Sequence, residues 1–295
     1  MIRRLIPASV LLAGLIGCGG KVEVPGVGSV GGGTGDNPDV TYTIKLREKQ
    51  AGDRFNVTVT TSHSTKKEDQ VGGKKKTDET NQGEKFEYSE VVEEVKDGRP
   101  TKVKRTYKVA EIKGKPTSFA GKTVEVQLSK PGVFSARVEK GGEILGPERM
   151  HFADAVGRPD QLAVLLPTRA IKVNETFVLD PPQLEKVIGP LQPLQDTRTG
   201  DGKLTKVYSK DGRQYGVFEV GVGITLKAGP ETGIQPGSGE NTVVVYDGCI
   251  DGSATDGEVK VTRIANQSVR DAKTGATRRQ NAETVSTVTI RPATK

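Results

Sequence analysis

The sequence predicts a mainly β protein, a large curved antiparallel sheet (a half-barrel) with two short helices packed on its inner face. Three observations predict it. Beyond residue 40, apolar residues return at every second position in run after run, the period of a strand with one wet face. Turn-forming pairs such as Asp97-Gly98 and Asp211-Gly212 separate the runs. Two segments, 159–167 and 182–189, break the period and carry helix start and stop residues. Sheets with one polar face need something to cover the other. A two-sheet sandwich would also meet that need and is the runner-up.

The elements follow in order. Thr41 to Leu46 is a short strand, and Phe55, Val57 and Val59 alternate with polar residues in the next. Phe86 and Tyr88 open a long strand to about Val95. The Asp97-Gly98-Arg99-Pro100 turn leads into a return strand with Val103, Tyr107 and Val109 on one face and Arg105 between them. Val124, Val126 and Leu128 form a strand, and after Pro131-Gly132 so do Phe134, Ala136 and Val138. The stretch 62–82 interrupts this pattern. Val71 is its one apolar residue, and its five lysines face four acids, so a long, mobile, polar loop is expected there.

The middle of the chain changes character. Pro159 or Asp160 starts a helix that Pro167 ends, and Pro182 opens a second that stops at Gly189. A strand over Lys172–Leu179 lies between them. Leu204 to Tyr208, the Asp211-Gly212 turn, and the alternation of Phe218, Val220, Val222, Ile224 and Leu226 make the clearest hairpin. Val243 and Val245, Val259 and Val261, and finally Val285 to Ile290 complete about ten strands.

Ahead of this body, Arg3 and Arg4 precede an apolar run from Leu5 to Ile16 that is too short to span a bilayer. It ends Leu15-Ile16-Gly17-Cys18, which resembles the lipobox of bacterial lipoproteins. That resemblance implies removal of a signal peptide, residues 1–17. It also implies a diacylglyceryl thioether on Cys18, an acylated amino terminus, and an extracytoplasmic body anchored to the membrane through its N-terminal acyl chains. Gly19, in place of the Asp that resembles an inner-membrane retention signal, leans toward the outer membrane where there are two. Residues 18–40 read as the lipidated cysteine and a glycine-rich flexible tether with a span of about 25 Å. The body is then 41–295.

Composition narrows the function. The chain carries 44 basic and 37 acidic residues, and its charge is spread at an ordinary density, which does not suggest nucleic acid. With 33% hydrophobic residues, 37 glycines, 16 prolines and no tryptophan, the core must be thin for 295 residues. Once Cys18 is acylated, Cys249 has no partner within the chain and is read as a small buried hydrophobe.

The residues offer little for catalysis, a metal or a cofactor. His63 falls in the polar loop. His151 could be oriented by Asp154, but no nucleophile motif accompanies it. Carboxylate pairs such as Glu93-Glu94, Asp78-Glu79 and Glu68-Asp69 point to opposite faces of a strand. Asp247, Asp251 and Asp256 do not fit a calcium loop. Gly221 and Gly223 within a strand mark a bulge or bend rather than a phosphate loop.

The order of segments also supports a fold-level resemblance. Thr41–Leu46 runs into Ala51–Val57, Phe119–Lys122 leads to strands, and Pro159–Pro167, Lys172–Leu179 and Phe218–Leu226 follow. The chain is similar in this to secreted and lipid-anchored proteins of planctomycetes. Those resemble the lipoprotein-carrier fold of LolA, LolB, LppX and LprG, a curved half-barrel closed by short helices around an apolar cavity. The resemblance implies a non-enzymatic envelope lipoprotein that binds an acyl chain or another hydrophobic ligand. Its groove would be lined by Val124, Val126, Leu162, Leu165, Leu184, Val187, Phe218, Val220, Val222 and Ile224. The alternative is a structural or protein-interaction module of the cell envelope, its partner unspecified, in which these residues simply form the core.

Overall fold

Alternation of apolar and polar residues, punctuated by two-residue turns, builds nearly the whole structure, a computed structural model that describes residues 40–293 apart from 154 and 158–160. The leader, Cys18 and the tether up to residue 39 lie outside the described residues. The strands are β1 (Thr41–Tyr42), β2 (Arg54–Val71), β3 (Lys74–Lys96), β4 (Arg99–Ile112), β5 (Lys115–Pro116), β6 (Thr123–Lys130) and β7 (Val133–Val138). A 3-10 turn (Gly146–Phe152) leads to α1 (Gln161–Leu165), β8 (Ile171–Lys172), β9 (Thr176–Val178) and α2 (Pro181–Ile188). The chain ends with β10 (Gln195–Lys210), β11 (Arg213–Leu226), β12 (Gly239–Cys249), β13 (Gly257–Arg270) and β14 (Thr277–Pro292).

Twelve strands form one curved antiparallel sheet in the order β7-β6-β4-β3-β2-β14-β13-β12-β11-β10-β9, with β5 appended to β4. The sheet is not closed into a barrel; β7 and β9 remain its edges, and β1 and β8 make a separate two-stranded pair. The expected half-barrel with two helices is therefore the architecture, and the sandwich is not. The register places Phe55, Tyr88, Ile290, Val259, Tyr246 and Phe218 in phase on the inner face. Helix α2 begins where predicted because Asp180 accepts the Gln183 backbone N–H at 2.7 Å while the Gln183 side chain accepts the Asp180 N–H, a reciprocal cap. Gly189 ends it with a positive φ.

Two apolar cores sit on this one face. The first lies under β9–β12 and the helices, around Leu165, Leu184, Leu204, Phe218 and Val220. The second lies under β2–β7 and the 3-10 turn, around Phe86, Tyr107, Phe119, Val124 and Phe152. Between them β13 and β14 carry no fully buried side chain, and Val259, Val261, Val288 and Ile290 are only half-buried. Residues 41–53 run across as a strap. Tyr42, Ile44 and Leu46 pack on the first core, Lys45 N–H donates to the Ile250 carbonyl at 2.8 Å, and Gly52 N–H donates to the Val92 carbonyl at 2.8 Å beside the second.

Three expectations need correction. Segment 62–82 is a hairpin and not a loop: β2 continues to Val71, Gly72 and Gly73 turn with φ of 56° and 79°, and β3 returns from Lys74. Both turn residues have positive φ, the conformation that matches strand twist in a two-residue turn. The charges of this segment are cross-strand partners, with Lys66–Glu79 at 2.8 Å and Lys75–Glu68 at 2.9 Å. Gly221 and Gly223 mark no bulge, since β11 keeps unbroken register with β12 and with β10 across them. The irregularities of the β10–β11 pairing lie instead between Leu204 and Lys206 and between Gln195 and Thr197. A register shift at Glu87/Tyr88 also moves Val109 out of phase with Val103, Arg105 and Tyr107, and Ala110 takes the inward position.

Candidate functional site

The ten groove candidates do not gather in one place. Val124 and Val126 are buried in the aromatic core with Phe119 and Val103. Leu165, Leu184, Val187, Phe218, Val220, Val222 and Ile224 are buried in the aliphatic core, and Leu162 packs against it half-buried. The half-buried strip of β13 and β14 separates the two groups. Within the aliphatic core, side chains press directly onto backbone. A Cβ built on Gly202 would come within 2.3 Å of the Phe177 ring, and one on Gly200 within 2.8 Å of Leu184. The Leu184 contact sets α2 directly on the sheet at Gly200, where an acyl chain would otherwise lie, and the Phe177 ring covers the neighbouring Gly202 from β9. Two clefts open at the surface. One of about 160 Å³ is bordered by Gln195, Ile224, Leu226, Glu240 and Gln280, and another of about 440 Å³ by Pro230, Ile234, Pro236 and Arg270.

A buried ionic cluster lies at the aromatic core. Glu90 is 1% exposed, accepts Lys49 Nζ at 2.6 Å and Arg105 Nε at 2.8 Å, and so joins strap, β3 and β4. Arg105 also lies over the Tyr88 ring, 4.8 Å from its centroid. Burial alone would raise the Glu90 carboxyl, but Arg105 and Lys49 more than offset it and hold it at about 2. Burial pushes the Tyr88 and Tyr107 hydroxyls up. Glu90 therefore stays ionised and fully engaged, which suits fastening rather than proton transfer. Its inward phase with Phe86 and Tyr88, and that of Arg105 with Val103 and Tyr107, was available from period two alone.

Several other titratable groups are likewise engaged. His63, placed by β2 and not by a loop, bridges Thr284 Oγ1 at 2.8 Å and Thr65 Oγ1 at 2.9 Å. His151 stands against the Phe86 ring with Glu84 at 3.9 Å. Its expected partner, Asp154, lies outside the described residues. Asp247 accepts the Tyr208 hydroxyl and Asp256 the Tyr215 hydroxyl, each at 2.6 Å. Burial and the neighbouring Asp256 push Tyr215 up to about 12. Asp251 accepts backbone N–H groups of Gln214 and Ser253 at 2.8 Å, and the buried Cys249 thiol at 3.1 Å. Ser253 and Gln214 hold its carboxyl well below the usual carboxylate range. Cys249 is thus the buried thiol expected. Among the described residues no group of three or more histidine, cysteine or acidic side chains could hold a metal ion, and no helix is long and apolar enough to cross a membrane.

No family model and no curated protein matches the sequence. Solved structures to which it is distantly similar include a DUF1329 family protein from Desulfovibrio piger, 10% identical over 79% of this chain and 84% of that chain, with a TM-score of 0.19. A deletion mutant of TodX, a monoaromatic hydrocarbon channel, is 8% identical over 82% of this chain and 91% of its own, with a TM-score of 0.23. Neither superposition is close enough to carry a fold or a function to this chain.

Proposed function

We propose that this chain is a non-enzymatic structural or protein-interaction module of the cell envelope, anchored through acyl chains on Cys18 and holding no hydrophobic ligand. The observation that favours this over a carrier is the packing of the ten groove candidates. They divide between two cores, and side chains of the aliphatic one reach the sheet backbone at Gly200 and Gly202. A pocket for an acyl chain needs a vacant apolar volume of several hundred Å³ between those layers. The Leu15–Cys18 lipobox supplies the anchor, and the glycine-rich tether suspends the body near the membrane.

The full chain tests both halves of this reading. Expressed with its leader in a bacterial host, it should fractionate with membranes and carry a diacylglyceryl mass on Cys18, and Cys18→Ser should release it. The leaderless body, purified and extracted with organic solvent, should yield no stoichiometric lipid by mass spectrometry. A lipid bound one-to-one would reinstate the carrier, and a Cys18→Ser protein still held on membranes would remove the anchor.

A further inference from the structure

We infer that the cleft at the upper end of the inner face, around Ala265, Gln267 and Gln280, is a binding site for a neutral saccharide. It lies at the margin of the aliphatic core, which lends it Ile224 and Leu226, and does not depend on the anchor or on the identity of a protein partner. Its origin is a gap in the side-chain pattern. Across the sheet, Ile224, Glu240, Ala265 and Ala282 share one row, and the two alanines sit where neighbouring rows carry Arg263 and Thr284 on one side and Gln267 and Gln280 on the other. The missing side-chain volume leaves a depression of about 160 Å³, room for one sugar ring, with Leu226 and Gln195 along its margin.

The chemistry of its walls is neutral and two-sided. Gln267 and Gln280 are cross-strand partners, and their side-chain amides make no hydrogen bond to other described residues. Each amide offers both donors and an acceptor. The Gln195 carbonyl oxygen is already held by Arg198 at 2.8 Å and by the Gln192 N–H at 2.9 Å, which leaves its NH₂ as a donor. Glu240 is paired with Arg263, so the cleft has no net charge to select an ion. Ile224, Leu226 and Ala265 supply an aliphatic surface beside these amides. Hydroxyl groups that donate and accept on one side, with C–H groups on the other, are what a pyranose presents. An extended peptide fits less well, because the cleft lies within the sheet face, away from the edges at β7 and β9 where unpaired main-chain groups could receive it.

The test uses the folded leaderless protein labelled with ¹⁵N and titrated with glucose, N-acetylglucosamine, maltotriose and chitotriose. The expected result is a saturable shift of the Gln267 and Gln280 side-chain amide signals, with a dissociation constant on the order of 1 mM. Gln267→Ala or Gln280→Ala should each weaken binding about 3- to 10-fold, the loss of one or two hydrogen bonds. Ala265→Leu should abolish it by filling the depression. If Ala265→Leu does not fold, the Gln267→Ala/Gln280→Ala double variant reads the same loss. No saturable shift with any sugar up to about 50 mM overturns the site. So does sugar binding that survives these substitutions, or saturation by trialanine in place of the sugars.

Discussion

The two cores of this sheet solve one problem with different materials. Under β9–β12 the cover is two short helices and the start of the strap, and the filling is mostly aliphatic, with Gly200 of β10 facing Leu184 of α2 and Gly202 facing Phe177 of neighbouring β9. Under β2–β7 the cover is the 3-10 turn and its flanking loops, with the far end of the strap, Lys49 and Gly52, at the margin. There the filling is richer in packed rings, with the ring centroid of Phe119 at 4.8 Å from that of Tyr107 and 5.0 Å from that of Phe152. That core also admits a carboxylate, because Lys49 and Arg105 reach it from two sides. The comparison teaches that strand period two specifies which side chains turn inward, while the cover decides their size and polarity. Short helices can lie flat on a glycine-thinned strand. Loops leave irregular gaps that rings and salt bridges fill.

If the cores are energetically separate, a defect in one should not propagate to the other. Phe119→Ala, at a site with no exposure, should cost about 3–5 kcal/mol in the aromatic core. Hydrogen exchange should then quicken in β3, β4 and β6 and stay unchanged in β10–β12, because β13 and β14 between them bury no side chain fully. Equal loosening of both halves would show one cooperative core and break the comparison.

Glu90 sharpens it by charge. Its folded carboxyl lies at about 2, below its ordinary value of 4.5, so the stabilisation is complete above about pH 4.5 and is lost as pH falls toward 2. The difference corresponds to about 3 kcal/mol for a group this buried. Glu90→Gln should remove that acid dependence. It should also destabilise the protein at neutral pH by about 3 kcal/mol, since Arg105 and Lys49 would lose their counter-charge. Urea unfolding at about pH 6 and about pH 3 reads both effects. An unchanged acid slope in the variant would assign the dependence elsewhere.

The aliphatic core should answer to volume instead. Gly202→Ala drives a methyl group into Phe177 and should cost about 1–3 kcal/mol. Gly221→Ala on the neighbouring strand meets nothing closer than Asp201 at 3.9 Å, and should be neutral or slightly stabilising. Phe177→Leu should recover part of the Gly202→Ala loss. Equal midpoints for the two alanine variants in thermal unfolding would show that Phe177 of β9 does not press on β10 as described.

How much of this was legible in the sequence follows from the same physics. Strands with one apolar face, such as Phe218–Leu226, declare themselves, as does a helix begun by Asp180-Pro181-Pro182 and stopped by Gly189. The two cores did not, because Val124 and Phe218 carry the same period and only the strand order separates them. The Glu90–Arg105 pair was readable in phase but not in contact, since the bulge at Tyr88 and the return of the strap are tertiary events. Segment 62–82 does not declare itself as strand, because alternation reports a strand only when one face is buried. Ser62, Lys66, Lys74 and Glu79 are wet, and what holds them in register is the residue opposite.

That hairpin supplies the mildest and most local test. Its sequence did contain one short-range signal, Gly72-Gly73, a pair suited to a two-residue turn with positive φ at both positions. Gly73→Ala would meet no atom within 4 Å, so any cost is conformational, about 1 kcal/mol for an L-residue held at a φ of 79°. Gly72→Asn should be neutral or better, because asparagine tolerates that conformation and Asn-Gly favours this turn. A flexible loop would register neither change. Amide exchange at residues 66–79 distinguishes the cases. Faster exchange in Gly73→Ala with Gly72→Asn unaltered marks a hairpin whose strands are held by their turn and facing charges. Identical, unprotected exchange in all three proteins would return the segment to a loop and confine the ordered sheet to the strands over the two cores.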